Sequence, residues 1–166
     1  MGIDINIRRA LETENEQLTQ ISFRSKQVWN YPAEYFDSWR SELTITPEYI
    51  KKHLVFVAER AGQVVGYYSV LFNPKDFWTR SGIFFATGYW LEHMFILPEH
   101  IGQGIGTALM RHAKEQVRSL RGSVMRILVD PNAKGFYEKM GARYIKDVLS
   151  SIPGRTTPFY ELSVDK

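Results

Sequence analysis

The sequence contains no cysteine. That absence excludes disulfide bonds, zinc–thiolate sites and a thiol nucleophile, and it fits the reducing environment of the cytoplasm. The sequence also lacks an apolar signal segment at its start and any apolar run that approaches the length of a membrane span. We therefore expect a cytoplasmic protein with no membrane partner.

A strong excess of one charge sign is missing as well. The formal net charge is only +3, from 21 basic and 18 acidic residues. A nucleic-acid-binding surface usually carries a basic stripe with interleaved aromatic residues, and no such stripe is evident. Arg111, Lys114, Arg118 and Arg121 line only part of one predicted helix, amid acidic residues elsewhere. We expect no nucleic-acid partner, although the mild positive charge is compatible with an anionic small molecule.

The length of 166 residues and the 44% share of hydrophobic residues suit one globular domain over positions 1–166. Apolar patterns predict strands at 3–8, 54–59, 64–72, 89–97, 124–129, 143–149 and 159–164. They predict helices at 12–28, 32–42, 131–140 and from a glycine turn to about position 120, with a helical turn beginning at Pro47. Residues 73–88 are aromatic-rich and predicted to be irregular. The predicted fold class is α/β, a mixed central sheet of about seven strands flanked by about four helices. The strand–helix–strand segment 89–129 is long enough for a parallel crossover.

The sharpest local feature is the segment 98–107, PEHIGQGIGT. Three glycines alternate where a strand becomes a helix, so the backbone can turn tightly and approach a ligand closely. Free N–H groups at the start of a helix, together with the helix dipole, favour a phosphate there. Neither the dinucleotide fingerprint nor the Walker pattern fits, because Thr107 stands where each requires a glycine.

The turn resembles instead the pyrophosphate loop of the GNAT superfamily of acetyltransferases, Arg/Gln-x-x-Gly-x-Gly/Ala. Gly104 and Gly106 match, and the lead-in 97–99, LPE, is similar to that of the family. Ile101 departs from the pattern, because it occupies the Arg/Gln position. Since that loop binds the pyrophosphate mostly through backbone N–H groups, we expect Ile101 to reduce the affinity for the coenzyme only slightly.

A second segment, 130–141, resembles the Asn-x-x-Ala-x-x-Phe-Tyr-x-x-x-Gly block of the same family. Four positions match: Ala133, Phe136, Tyr137 and Gly141. Asp130 stands in the Asn position and Asn132 lies two residues on. The two blocks are separated by one predicted helix and one strand, as in the family, and together run from about position 90 to 141. The chain is therefore identified as a GNAT-like protein with the acyl-CoA N-acyltransferase fold.

The resemblance implies an N-acetyltransferase that moves the acetyl group of acetyl-CoA to a primary amine by direct attack in a ternary complex. Acetyl-CoA would be a co-substrate, no metal would be needed, and the acceptor would be a small molecule or a peptide of unknown identity. The alternative is an acyl-CoA-binding regulatory module that keeps the fold without transfer activity. The oligomeric state stays open, a homodimer included.

The resemblance also implies site residues. Backbone groups around Met94, Phe95 and Ile96 would line the pantetheine arm, and the second block would add Asp130, Asn132 and Phe136 to the coenzyme site. The pyrophosphate would lie on the backbone of Gln103, Gly104, Ile105, Gly106 and Thr107. Tyr137 would protonate the departing thiolate.

The base that takes the proton of the acceptor amine is harder to assign. Glu92 and His93 are neighbours on one predicted strand, so they point to opposite faces. Glu92 shares its face with Trp90 and Met94, the face that meets substrate in family members with a base on this strand. We predict Glu92 as the base. His93 has the more suitable unperturbed pKa but is expected to pack on the other face, and a water chain is a further alternative.

Acceptor specificity is expected from residues 28–43, 73–88 and 150–158. The aromatic residues there form either an acceptor wall or ordinary core: Trp29, Tyr31, Tyr35 and Trp78. Arg155 is either a ligand for a carboxylate or phosphate or an exposed arginine in a loop.

Overall fold

The structure is a computed structural model that describes residues 4–80 and 82–165. Its α-helices are α1 Asn15–Gln27, α2 Ala33–Leu43, α3 Pro47–Lys52, α4 Ile105–Ser119 and α5 Lys134–Lys139. Its strands are β1 Asn6–Arg9, β2 Leu54–Arg60, β3 Gln63–Asn73, β4 Phe77–Trp78, β5 Phe84–Phe85, β6 Gly88–Ile96, β7 Val124–Leu128, β8 Arg143–Leu149 and β9 Thr156–Ser163. Short 3₁₀ turns lie at Glu12–Glu14, Pro98–His100 and Pro131–Ala133.

Seven of these strands form one mixed sheet in the order β1-β2-β3-β6-β7-β9-β8. The pairs β1–β2, β2–β3, β7–β9 and β8–β9 are antiparallel, whereas β6 and β7 are parallel. The parallel pair is joined through α4, which is long enough for the crossover that parallel strands require. This architecture confirms the predicted α/β class and its mixed sheet.

By its internal contacts the chain divides into two compact units, Met1–Val70 with His93–His112, and Leu71–Glu92 with Ala113–Lys166. Each unit is described by itself below. The expectation of one domain over the whole chain stays a prediction.

The first unit is built on β1, β2 and most of β3, with the helices α1, α2 and α3 that lie between β1 and β2 in the chain. Thr46 accepts a hydrogen bond from the backbone N–H of Tyr49, and Pro47 follows in the first helical position, so α3 starts with two favourable signals. Ala61 and Gly62 connect β2 to β3 with φ angles of 51° and 80°, as the primed turns of tight hairpins require. The buried apolar core of this unit consists of Ala10, Leu18, Ile21, Ile45, Ile50, Val55, Val57, Val64, Tyr67 and Leu97.

The second unit is built on β7, β9 and β8 with the C-terminal half of α4 and the short helix α5. Fully buried residues alternate with less buried ones along β7 and most of β9, so each strand buries one face. Its buried apolar residues include Trp90, Leu91, Val117, Met125, Ile127, Val129, Tyr160, Leu162 and Val164.

Several element boundaries differ from the sequence-based expectation. Residues 73–88 were predicted to be irregular, but β4 and β5 pair there, with Phe77 opposite Phe85. The predicted helix 12–28 begins as a 3₁₀ turn, and the predicted helix 131–140 is likewise a 3₁₀ turn followed by α5. Strand β9 begins at Thr156 rather than 159, and Pro158 lies inside it, opposite Asp147 of β8. The first residue of the predicted strand 3–8 lies outside the described residues.

Within the described residues, no helix is both long enough and apolar enough to cross a membrane.

Candidate functional site

The glycine turn opens α4 as the sequence predicted. Gly102 and Gly104 have φ angles of +81° and +85°, a left-handed conformation that only glycine adopts without strain. Helix α4 then begins at Ile105, and the first helical bond of this turn runs from the Ala108 N–H to the Gly104 carbonyl at 3.1 Å. The N–H groups of residues 105–107 precede that bond and have no acceptor within the helix. The structure therefore gathers Gln103, Gly104, Ile105, Gly106 and Thr107 into an N-terminal helix opening suited to an anion.

Strand β6 runs past the residues that pair with β7. The parallel register joins Tyr89, Trp90 and Leu91 to β7, and Met94, Phe95 and Ile96 lie beyond that register. All three are half-buried. On its other edge the chain stays paired to β3, since the Leu97 N–H donates to the Val65 carbonyl at 2.8 Å. Backbone groups of residues 94–96 therefore lie on a stretch of strand where a ligand with amide groups is able to pair.

Glu92 and His93 point to opposite faces of β6, in agreement with the alternation expected from sequence. Glu92 is exposed, whereas only 6% of His93 is accessible to solvent. The His93 ring lies among the aromatic rings of Tyr67, Phe95 and Tyr49, at centroid distances of 6.0, 6.1 and 5.6 Å. His93 is thus part of the packed interior of the first unit.

Both ring nitrogens of His93 are hydrogen-bonded. Nε2 lies 2.6 Å from the carbonyl oxygen of Glu42 at the end of α2. A carbonyl only accepts hydrogen bonds, so Nε2 carries a proton and donates to it. Ser69 Oγ lies 2.7 Å from Nδ1 and the Tyr49 hydroxyl lies 2.9 Å from Ser69 Oγ. A chain of hydrogen bonds therefore connects β6 with β3, α2 and α3.

Sequence reasoning missed Ser69 and Tyr49 as members of this network. The available signal was Ser69 itself, the one serine in the strand pattern VVGYYSVLF, because a fully buried hydroxyl needs a partner. Tyr49 gave no such signal, since a tyrosine on a short helix is ordinary.

The second block folds as a capped turn in the second unit. The Asp130 carboxylate accepts the backbone N–H of Asn132 at 2.9 Å, and its carbonyl accepts the N–H of Ala133 at 2.8 Å. Phe136 and Tyr137 follow on α5, with their rings edge to face at 5.1 Å. Asp130 thus fixes the turn from which these two rings project.

Tyr137 is buried, with 8% of its surface exposed. Burial, and then the negative charge of Asp130, raise the pKa of the Tyr137 phenol well above its usual range. The side chain therefore keeps its proton at neutral pH. The structure brings Asp130, Asn132, Phe136 and Tyr137 together as one local group.

The four aromatic residues of the predicted acceptor wall lie in two different settings, two packed against other rings and two exposed. Tyr31 and Tyr35 pack against Trp39, at 4.9 and 5.5 Å between ring centroids, and Lys26 Nζ lies 4.5 Å from the centre of the Trp39 ring. These residues form a small cluster of rings around a cation in the first unit. The other two members are exposed, Trp29 at 44% and Trp78, on the β4–β5 hairpin of the second unit, at 70%. Trp39 and Lys26 were not singled out from sequence.

The loop that carries Arg155 is closed by its own backbone. The Ser150 N–H donates to the Arg155 carbonyl at 3.0 Å, and the Arg155 N–H donates to the Ile152 carbonyl at 3.1 Å. Among the residues that the structure describes, no group of three or more His, Asp or Glu side chains is arranged to hold a metal ion.

We predict that replacing Ser69 by alanine lowers the free energy of unfolding by about 1–3 kcal/mol. The substitution removes the hydroxyl that lies 2.7 Å from the buried Nδ1 of His93 and 2.9 Å from the Tyr49 hydroxyl. Denaturant titration measures the change. Ser38→Ala, on the exposed surface of α2, is the control and should stay within about 0.5 kcal/mol. Equal stability of the two variants would contradict the importance of the network.

Comparison with known proteins gives a consistent result. Residues 51–141, more than half of the chain, match a family described as the acetyltransferase (GNAT) domain. A curated relative, the glucosamine 6-phosphate N-acetyltransferase of Trypanosoma brucei brucei, is 34% identical over 91 residues. The match covers 54% of this chain and 57% of the relative, so the chain spans little more than half of the relative's length.

Solved structures agree on the fold. The PaiA N-acetyltransferase from Thermoplasma acidophilum, in complex with coenzyme A, has a TM-score of 0.73 at 19% identity, over 97% of this chain and 99% of that chain. A GNAT-family acetyltransferase from Brucella melitensis, in complex with acetyl-CoA, has a TM-score of 0.59 at 22% identity, over 96% and 87%. At these identities the likeness shows the fold.

Proposed function

This chain belongs to the GNAT acetyltransferase family, and we propose that it transfers the acetyl group of acetyl-CoA to a primary amine in a ternary complex. The observation that carries the proposal is the glycine turn at the start of α4, which offers unpaired N–H groups where a pyrophosphate would bind. Two similar structures are complexes with coenzyme A or acetyl-CoA, which supports the choice of co-substrate.

We assign the coenzyme to three sets of residues. The backbone N–H groups of 103–107 would hold the pyrophosphate, because they point out of the helix start. The backbone of Met94, Phe95 and Ile96 would pair with the amides of the pantetheine arm. The family resemblance also assigns to the coenzyme three residues of the second unit, Asp130 and Asn132 in the turn before α5 and Phe136 on α5.

The proposed chemistry is direct attack of a neutral amine on the thioester carbonyl. The nitrogen forms a bond to the carbonyl carbon, and the oxygen gains negative charge that N–H donors stabilise. Collapse of this intermediate breaks the carbon–sulfur bond and releases the thiolate of coenzyme A. A base takes one proton from the ammonium form of the acceptor before the attack. The nitrogen loses a second proton after the attack, which balances the one that an acid gives to the sulfur.

We propose Glu92 as the base. Its carboxylate is exposed on β6, on the strand face shared with Trp90 and Met94. His93 is the weaker candidate, since it is buried and both its nitrogens already have partners in the first unit. A carboxylate open to solvent also attracts the positively charged form of an amine before it loses its proton.

We propose Tyr137 as the acid. A phenol with a raised pKa is fully protonated over the whole physiological range, as an acid must be before the transfer. The same shift makes it a weaker acid than a free phenol. Its contribution is therefore expected at the low end of the range for general acids.

The activity test is release of free thiol from acetyl-CoA in the presence of amines. The panel should contain glucosamine 6-phosphate, prompted by the name of the curated relative, an aliphatic diamine, and peptides with a free N-terminus or a lysine. Amine-dependent thiol release supports the transferase. Tight coenzyme binding without release by any amine would favour the regulatory module instead.

We predict that Gly106→Val raises the Kd for acetyl-CoA at least about a hundredfold, because a branched side chain at the start of α4 blocks two or more charge-assisted N–H contacts. Calorimetry measures the affinity, and thermal unfolding checks the fold. Ser119→Val, at the other end of α4, is the control for a β-branched residue in this helix and should bind normally. Unchanged affinity of Gly106→Val would refute this binding mode.

We predict that Tyr137→Phe lowers kcat about a hundredfold, with coenzyme affinity and unfolding temperature nearly unchanged. In the wild type, the raised pKa keeps the phenol protonated, so Tyr137 causes no fall in rate as pH rises to about 10.

Tyr160→Phe is the matched control. That tyrosine is also buried in the second unit, but its hydroxyl donates to Glu138 at 2.7 Å. Its loss should reduce stability and leave kcat unchanged. A Tyr137→Phe enzyme with full turnover would show that the hydroxyl has no catalytic role.

We predict that Glu92→Gln lowers kcat mainly near neutral pH and much less above about pH 10, where most primary amines are already neutral. Steady-state rates between pH 6 and about 10.5 measure the profile. Glu115→Gln, an exposed carboxylate on α4, is the control and should follow the wild-type profile. If His93→Gln shows the pH-dependent loss and Glu92→Gln does not, the base is His93.

A further inference from the structure

The β2–β3 hairpin brings a guanidinium group to the glycine turn. Arg60, the last residue of β2, donates from Nη1 to Oε1 of Gln103. The amide nitrogen of Gln103 donates in turn to the carbonyl of Glu99 at 3.3 Å. The Gln103 side chain is therefore oriented by contacts at both ends, and it holds Arg60 beside the residues that open α4.

The charge of Arg60 is not neutralised there. A second arginine in the same unit, Arg24, pairs with the Glu99 carboxylate at 2.8 Å, so those two charges offset each other. Arg60 contacts a neutral amide, and none of the carboxylates in residues 4–80 and 82–165 forms an ion pair with it. Segment 98–107 itself contains no lysine or arginine. Arg60 thus supplies a positive charge at this turn that no described carboxylate pairs with.

Ile101, in the Arg/Gln position of the family pattern, has no polar side chain, whereas Arg60 is a basic residue held at the turn from the end of β2. The guanidinium is also suited to phosphate, because its planar fork of N–H donors matches two phosphate oxygens. Only Nη1 is engaged by Gln103, and Nη2 and Nε carry further donors.

We propose that Arg60 binds the pyrophosphate of acetyl-CoA and replaces the basic or amide side chain that Ile101 removes from the loop. The proposal rests on the proposed function, since it names a ligand for the same turn. Gln103 acts as the positioning residue, with its backbone in the turn and its side chain on Arg60.

The test compares the binding of coenzyme A, dephospho-coenzyme A and S-acetylpantetheine to the wild type and to Arg60→Gln. Dephospho-coenzyme A keeps the pyrophosphate and lacks the 3′-phosphate, while S-acetylpantetheine has no phosphate. Arg60→Gln should raise the Kd for the first two ligands equally, by about tenfold or more. It should leave kcat/KM for S-acetylpantetheine unchanged. Arg60→Lys should recover part of the loss, because it restores the charge without the fork.

Arg24→Gln is the matched control, because it removes an arginine of the same unit whose charge is paired with Glu99. Its coenzyme affinity should stay within about twofold of the wild type, since exposed ion pairs contribute little. Thermal unfolding of each variant confirms that the fold is kept, and Arg60→Lys serves if Arg60→Gln is unstable.

Three outcomes would overturn the proposal. Equal affinity of Arg60→Gln and wild type for coenzyme A would remove Arg60 from the site. A loss seen with coenzyme A but not with dephospho-coenzyme A would assign Arg60 to the 3′-phosphate. If the wild type binds none of the three ligands, both the Arg60 proposal and the proposed function are refuted. The first two results refute the Arg60 proposal alone.

Discussion

A β-strand sends neighbouring side chains to opposite faces, and β6 applies this constraint to the two titratable residues at its centre. His93 enters the interior of the first unit, where its ring is enclosed by aromatic residues. Glu92 must then lie on the other face, where it stays exposed. One geometric rule thus separates a buried imidazole with fixed hydrogen bonds from a carboxylate that is open to a substrate.

The buried imidazole demands partners, and this demand shapes the first unit. An unsatisfied polar group in the interior costs as much as several favourable contacts contribute, so each nitrogen of His93 needs its own partner. One is the carbonyl of Glu42 at the end of α2, and the other is Ser69 on β3. These hydrogen bonds connect α3 and the last turn of α2 to β6, the strand whose backbone we assign to the coenzyme.

Charge at the glycine turn follows a similar logic. Gly102 and Gly104 let the backbone open α4 with its N–H groups unpaired, which favours an anion but binds it through partial charges only. Two arginines of this unit contact residues of the turn, and they differ in their partners. Arg24 is matched by a carboxylate, whereas Arg60 is held by an amide. An amide orients the guanidinium without neutralising it, which leaves a full positive charge for a phosphate.

The sequence by itself determined the α/β class, most strands and helices, and both family blocks, because apolar periodicity, glycine turns and helix caps are local signals. It also determined the opposite faces of Glu92 and His93. Only the tertiary structure decided which distant residues form hydrogen bonds to His93 and to Gln103. Ser69 and Tyr49 reach His93 across 24 and 44 positions of the chain, and Arg60 reaches Gln103 across 43. Such partners are selected by strand register and helix packing, and these depend on contacts between distant segments that no local pattern records.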